Sequence, residues 1–388
     1  MGLLRNRYRQ FAFATAIVLC SGCGGLKLSE HLTTRQTDWI MSGGDIGRTN
    51  TAKEGVDPPL TVVWQTDAGA GLAESPGVIT DNHLFVGNLH GEIHAVRVQD
   101  GKDLGNKRFG SALVGTPVVD GDMLFLVLAH DDPSMIAYNL HTGTILWKAA
   151  LGDIESSPLL MNNHLYVTTL TGTLNCIEKT TGSIEWSYAL PAGSRTTLIH
   201  SSPASDGNLI VFGSDGGGLF AVSCSDGSLR WKAAARSAIL ATPSVAAGRV
   251  FVGSLDSSMY AFDLTTGRLL WSTPLGAKIY GSQGVNERFV YVGTVGGVLY
   301  CLDAETGAVI WKTSVGSILN STPLLSGSVV YVGCMDKKLY AVNTETGEVV
   351  WQYTAEGRMK SMPAIADTTL MIFTEDRSIV GMRHTVAP

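Results

Sequence analysis

AFDLTTGRLLW, residues 261–271, is one of seven copies of an eleven-residue pattern, and its reading decides the fold. The others are AVRVQDGKDLG (95–105), AYNLHTGTILW (137–147), CIEKTTGSIEW (176–186), AVSCSDGSLRW (221–231), CLDAETGAVIW (301–311) and AVNTETGEVVW (341–351). Glycine is the seventh letter in every copy, and tryptophan is the eleventh in all but the first, where Gly105 stands. Each glycine follows Thr or Asp between two short runs of alternating apolar residues. That is the signature of a β-hairpin whose turn needs a positive φ. Upstream of each hairpin lies a second pair of apolar runs, such as 243–247 and 250–254, so every unit holds four strands.

Working outward, the units open at Pro76, Pro117, Pro158, Pro203, Pro243, Gln283, Pro323 and Pro363, with spacings of 41, 41, 45, 40, 40, 40 and 40 residues. Eight units at a fixed period define a repeat architecture. The last unit runs out near Arg383 before reaching a tryptophan strand, while LTVVWQTD (60–67) is a tryptophan strand with no unit before it. Joined, the two fragments make one unit. A ring needs such complementary ends, because closure removes the edge strands that invite aggregation. The expectation is an all-β fold over 58–388: an eight-bladed β-propeller of four-stranded antiparallel blades, closed by the N-terminal strand joining the C-terminal blade. Trp64, Trp147, Trp186, Trp231, Trp271, Trp311 and Trp351 then pack between neighbouring blades, a structural role for large aromatic rings.

The composition agrees. Of 388 residues, 45% are apolar and 16% charged, enough to build a large core, and 45 glycines suit many tight turns. Net charge is −6; the first 22 residues carry Arg5, Arg7 and Arg9 and no acid, so the rest stands at −9. A general nucleic-acid binder would need the opposite sign. Residues 11–19 form a largely apolar run after those arginines. It is too short to cross about 30 Å of hydrocarbon as a helix and reads as the core of a signal peptide over 1–22. The stretch Leu19-Cys20-Ser21-Gly22-Cys23 resembles the bacterial lipobox, which implies acylation of Cys23 and a lipid tether and lead-in over 23–57. Gly24 and Gly25, with no aspartate after Cys23, resemble the signal for transfer to the outer membrane. Two or three acyl chains would hold the chain there, facing the periplasm.

No catalytic set, metal site or cofactor is expected. Cys176 and Cys301 take the alanine position of the repeat, which favours buried packing, and no C-x-x-C occurs. With Cys224 and Cys334 they allow three disulfide pairings, and no spacing selects one. His90 and His94 are four apart on a turn and strand, not on the helix a zincin site requires.

The pattern A-x-D-x-x-T-G-x-x-x-W, with Tyr291-Val292-Gly293 and Tyr331-Val332-Gly333 upstream, resembles the propeller repeat of pyrroloquinoline quinone (PQQ) type. Residues 39–50, with Gly43, Gly44 and Arg48, resemble the stretch before the first strand in such proteins. Within that superfamily, an eight-bladed lipoprotein of this length is similar to the BamB family, accessory lipoproteins of the outer-membrane β-barrel assembly machinery. The resemblance implies a non-enzymatic scaffold whose partner is BamA, the barrel-inserting subunit, or the barrel assembly complex. Alternatives are a lipoprotein scaffold of another envelope system, or a PQQ-linked redox or ligand-binding protein. The longest unit carries PAGSRTTLIHSSP (191–203), and the family's docking loop implies a partner-binding role for Arg195, Thr197, Leu198 and Ile199. Ala238, Ile239 and Leu240 stand where the family has acidic residues.

Overall fold

The computed structural model describes residues 25–35, 37–72, 77–191, 196 and 198–384; Cys23 and the 1–22 leader, and Arg195 and Thr197, lie outside the described residues. Among the described residues there are thirty-two strands and no helix. They form eight sheets of four strands each. Blades 1 to 7 cover 78–108, 118–149, 159–189, 204–234, 244–274, 284–314 and 324–354, and blade 8 joins 364–384 to Leu60–Asp67. The expected closure is thus present: Leu60–Asp67 pairs antiparallel with Ser378–His384, Trp64 lying opposite Gly381. A Cβ on Gly381 would come within 2.1 Å of the Trp64 ring, so this composite blade has glycine where other blades carry alanine or cysteine.

The repeat letters now have physical causes. In blade 5, Ala261 faces Trp271 across the outer hairpin. Asp263 Oδ1 accepts from the Thr266 amide (2.8 Å) and hydroxyl (2.7 Å), which builds the turn and lowers the Asp263 pKa, the hydroxyl bond contributing most. Gly267 follows at a φ of 69°. The invariant glycine has a second reason beyond its backbone: the tryptophan of the preceding blade lies on it. A Cβ on Gly307 would sit 2.5 Å from the Trp271 ring, and the Gly182–Trp147, Gly227–Trp186, Gly267–Trp231, Gly347–Trp311 and Gly101–Trp64 pairs repeat this approach. At these six seams the indole N–H also crosses, Trp271 Nε1 donating to Ala304 O at 3.1 Å and Trp231 Nε1 to Leu264 O at 2.7 Å. Aromatic burial and a satisfied donor therefore act at one position.

The residue before the tryptophan is a β-bulge, as at the register shift between Ala261 and Phe262 opposite Leu270. Bulges on these outermost strands disrupt the row of free backbone groups, which protects the rim from edge pairing.

Residues 39–52 run around the inside of the ring as a belt. Carbonyls of Trp39, Ile40, Ile46, Gly47, Thr49 and Asn50 accept from the inner-strand amides of Ile79, Val119, Ser205, Val245, Val285 and Leu325, all at 2.7–3.0 Å. Six blades are thereby stitched to one segment. Arg48 is fully buried at its centre, donating to Ser42 O, Pro203 O (3.1 Å), Ser157 O (3.1 Å) and Pro158 O (2.8 Å). Burial lowers its pKa to about 10, which still leaves the guanidinium charged at neutral pH. Four carbonyl acceptors are the compensation such a buried charge requires.

Candidate functional site: the open face of the ring

The belt floors a funnel of about 370 Å³ on the axis, open toward the loops that connect consecutive blades. Those loops share a geometry set by the repeat. The residue four before each unit opener is apolar and buried: Leu72, Leu113, Ile154, Ile199, Ile239, Ile279, Leu319 and Met359. Just below, hydroxyls link neighbours around the axis. Thr116 N donates to Ser157 Oγ (2.9 Å), Ser157 N to Ser202 Oγ (2.9 Å), Thr242 N to Ser282 Oγ (3.0 Å) and Ser282 N to Thr322 Oγ1 (3.2 Å).

This register sorts the residues expected to bind a partner. Ile199 is fully buried among Ile154, Phe212 and their neighbours, so it holds the loop down and offers no surface. That corrects its expected role as a docking residue. Ile239 is buried in the same way. Leu198, five residues before its opener, is 41% exposed, and Ile318 at the same offset is 39% exposed; three residues before their openers, Tyr280 is 40% exposed and Leu240 half-buried. An apolar arc thus spans the loops leaving blades 3 to 6. Sequence reading found one member of it; the others flank, on one side or the other, the buried residue four before each opener.

Charged groups sit beside the arc. His200 Nδ1 lies 2.8 Å from Asp215 Oδ2, and Nε2 lies 3.6 Å from Glu155 Oε2. The Asp215 hydrogen bond raises the His200 pKa above its ordinary value, against the opposing effect of burial. The Asp215 amide in turn donates to Leu198 O (3.1 Å), so blade 4 clamps the end of the inserted loop. Lys360, which lines the funnel, pairs with Glu375 of blade 8 at 2.6 Å.

The funnel lining does not fit PQQ with its calcium ion. Glu155 is the one carboxylate among its described lining residues, whereas a calcium ion takes six to eight oxygen ligands and favours carboxylates. No two of Cys176, Cys224, Cys301 and Cys334 are adjacent, and all are free thiols. A second cluster was not foreseen. His164, Cys176 and Glu185, on three strands of blade 3, bring ligand atoms within 4.8 Å of one another. His164 Nε2 already pairs with Glu185 Oε2 at 3.0 Å, and burial pushes the Cys176 thiol up to about 12. A thiol held protonated beneath an ion pair is poorly prepared to ligate a metal. His94 is likewise buried, beside Asn88 and Glu92.

The ring of eight four-stranded blades, with its tryptophan on glycine at successive seams, defines a propeller of the PQQ-repeat class. The sequence model described as outer membrane protein assembly factor BamB matches residues 54–161, 137–202, 193–279 and 256–385, and the chain belongs to that family. A curated relative, outer membrane protein assembly factor BamB of Burkholderia pseudomallei (strain K96243), is 24% identical over 238 residues. That match spans 60% of this chain and 57% of the relative, a little over half its length. Among solved structures, BamB from Moraxella catarrhalis superposes with a TM-score of 0.72 at 18% identity, over 84% of this chain and 99% of that one. Quinohemoprotein alcohol dehydrogenase from Comamonas testosteroni superposes with a TM-score of 0.74 at 12% identity, over 92% and 82%. At such identities both show the shared fold alone.

Proposed function

We propose that the protein is a lipid-anchored periplasmic scaffold at the outer membrane that assists assembly and insertion of β-barrel proteins, docking on BamA or the barrel assembly complex. The observation that carries this reading is the apolar arc of Leu198, Leu240, Tyr280 and Ile318 on the open face of a rigid, closed ring. Loops held on a fixed scaffold are where binding function concentrates, and aromatic and aliphatic anchors dominate interface energies. Membership of the BamB family supports the choice of partner. The protein acts through contacts and catalyses nothing. In a pulldown of the full-length chain from detergent-solubilised membranes, subunits of the barrel assembly machinery should co-purify. Recovery of a different envelope complex in their place would refute the partner.

One observation favours a second reading. Thr116 Oγ1 and Asn320 Oδ1 line the funnel and have no hydrogen-bond partner within the protein. Buried polar atoms of this kind are ordinarily satisfied by water or ligand. A small polar ligand retained through purification would support a binding role for the funnel.

A further inference from the structure

One seam lacks its tryptophan. Blade 1 has Gly105 opposite Ala95, at a φ of 128° that a tryptophan would rarely adopt. The glycine this tryptophan would have covered, Gly143 of blade 2, is instead faced by the Lys27 side chain, 3.4 Å from where its Cβ would be. The indole hydrogen bond has a substitute as well. At the intact seams the acceptor is the carbonyl of the fourth repeat letter, for example Leu264 or Ala304. At this seam that letter is Leu140, and its carbonyl accepts from the Leu28 backbone N–H at 2.8 Å.

The replacement is a continuous strap. Gly25 bridges in parallel to Asn106 on the outer strand of blade 1. Leu26, Leu28 and Leu32 are buried against Val78, Phe85, Leu113, Tyr138 and Leu140 of blades 1 and 2 and their connecting loop, and the Tyr138 hydroxyl donates to Leu26 O. Leu32 N then donates to Asp122 Oδ1 (2.8 Å), and His31 Nδ1 lies 2.5 Å from Asp122 Oδ2. At Trp39 and Ile40 the strap reaches the inner strands. It runs from rim to axis along a single seam.

We propose that this strap fixes the blade 1–2 rim as the sector of the ring that lies on the lipid surface. The inference rests on the reading of Cys23 as the acylated residue. Gly25 is two positions further along the chain, a reach of about 7 Å even when fully extended. The anchor therefore leaves the ring at one defined point. The loop carrying Tyr280, between blades 5 and 6, is half a turn away and faces away from the bilayer. Orientation on the membrane is built into the fold and needs no partner.

The test uses the full-length acylated chain in phosphatidylethanolamine–phosphatidylglycerol vesicles with a headgroup acceptor dye. A donor dye is placed by Arg108→Cys on blade 1 or, in a second protein, by Ser314→Cys at the corresponding position of blade 6. Several-fold greater energy transfer from position 108 than from 314 is expected. The double variant Leu26→Asp, Leu28→Asp should still float with the vesicles and should lose the difference. Because that variant removes core contacts, a second one leaves the strap intact: a flexible Gly/Ser linker of about twenty residues inserted between Gly24 and Gly25 uncouples it from the lipid and should also equalise the two positions. Equal transfer in the parent, or a difference that survives the linker, overturns the proposal. A parent chain that fails to float overturns the acylation reading and the membrane-facing sector together. Slow hydrogen exchange at the Leu28 amide scores the strap separately in that case.

Discussion

The seam between blades 5 and 6 and the seam between blades 1 and 2 solve one packing problem with different chemistry. The first uses a side chain of the repeat itself, Trp271 lying on Gly307 with its indole on Ala304 O. The second uses backbone and aliphatic side chains of a distant segment, with Leu28 N on Leu140 O and Leu26 in the apolar space. A repeat position is therefore a volume plus one hydrogen bond, and either the repeat or another part of the chain can supply both. The difference also shows where a regular ring becomes particular. The departure from the pattern at Gly105 is where the N-terminal segment enters.

The largest expected effect comes from removing a whole seam. Deleting Leu60–Asp67 takes away the outer strand of blade 8 together with Trp64, which lies on Gly101 of blade 1 and opposite Gly381. Burial of one such aromatic is worth about 2–3 kcal/mol by area, and the backbone pairing of the strand goes with it. Against a typical total of about 5–15 kcal/mol, thermal denaturation should show a sharply lowered melting temperature. An unchanged melting curve would contradict closure by the two chain ends.

Next is Trp271→Ala, expected to cost about 3–5 kcal/mol in chemical denaturation, as for other buried aromatics. The paired change at the other seam, Leu28→Ala, should cost less, about 2–3 kcal/mol, because only an aliphatic side chain is lost and the Leu28 amide can still reach Leu140 O. Smaller still is a contrast between two alanines. Gly307→Ala and Gly143→Ala share nearly the same backbone strain, at φ values of 73° and 75°. Only the first drives a methyl into a ring 2.5 Å away; the second meets the flexible Lys27 side chain at 3.4 Å. Gly307→Ala should therefore be the more destabilising by about 1–3 kcal/mol of overpacking. Equal losses would show that backbone strain alone keeps glycine there.

The smallest effect is a pH dependence. The His200 pKa is raised in the folded protein by Asp215. The stabilisation it contributes is therefore complete below the unfolded value near 6.5 and is lost as pH rises through the folded value. His200 is about one-third exposed, so the contribution is small. Hydrogen exchange around Leu198 and Asp215 should quicken above neutral pH beyond its intrinsic rise, and His200→Gln should abolish that excess.

Most of the ring was legible in the sequence because its causes are local. Hairpin turns, the apolar alternation and the period of 40 residues each rest on a few neighbouring letters, and the complementary ends follow from counting units. The belt and the strap were not legible. Residues 25–52 carry no such repeat, and their partners lie far away in the sequence, as with Leu28 and Leu140 or Asn50 and Leu325. Ile199 was misassigned because an inserted loop looks exposed as a whole. Its burial follows from its distance to Pro203, four residues, the same as that of Ile239 to Pro243.

The central claim is that the open face of the ring docks the barrel assembly machinery, and co-purification by face variants tests it most directly. Leu198→Asp with Tyr280→Asp changes two exposed side chains of the arc, while Val349→Asp with Val350→Asp changes two equally exposed ones on the outer rim of blade 7. All four substitutions should leave the melting temperature within a few degrees of the parent. The account predicts that full-length chain carrying the arc pair recovers at least tenfold less of the assembly machinery from solubilised membranes, while the rim pair recovers as much as the parent. Undiminished recovery by a stably folded arc variant would contradict it.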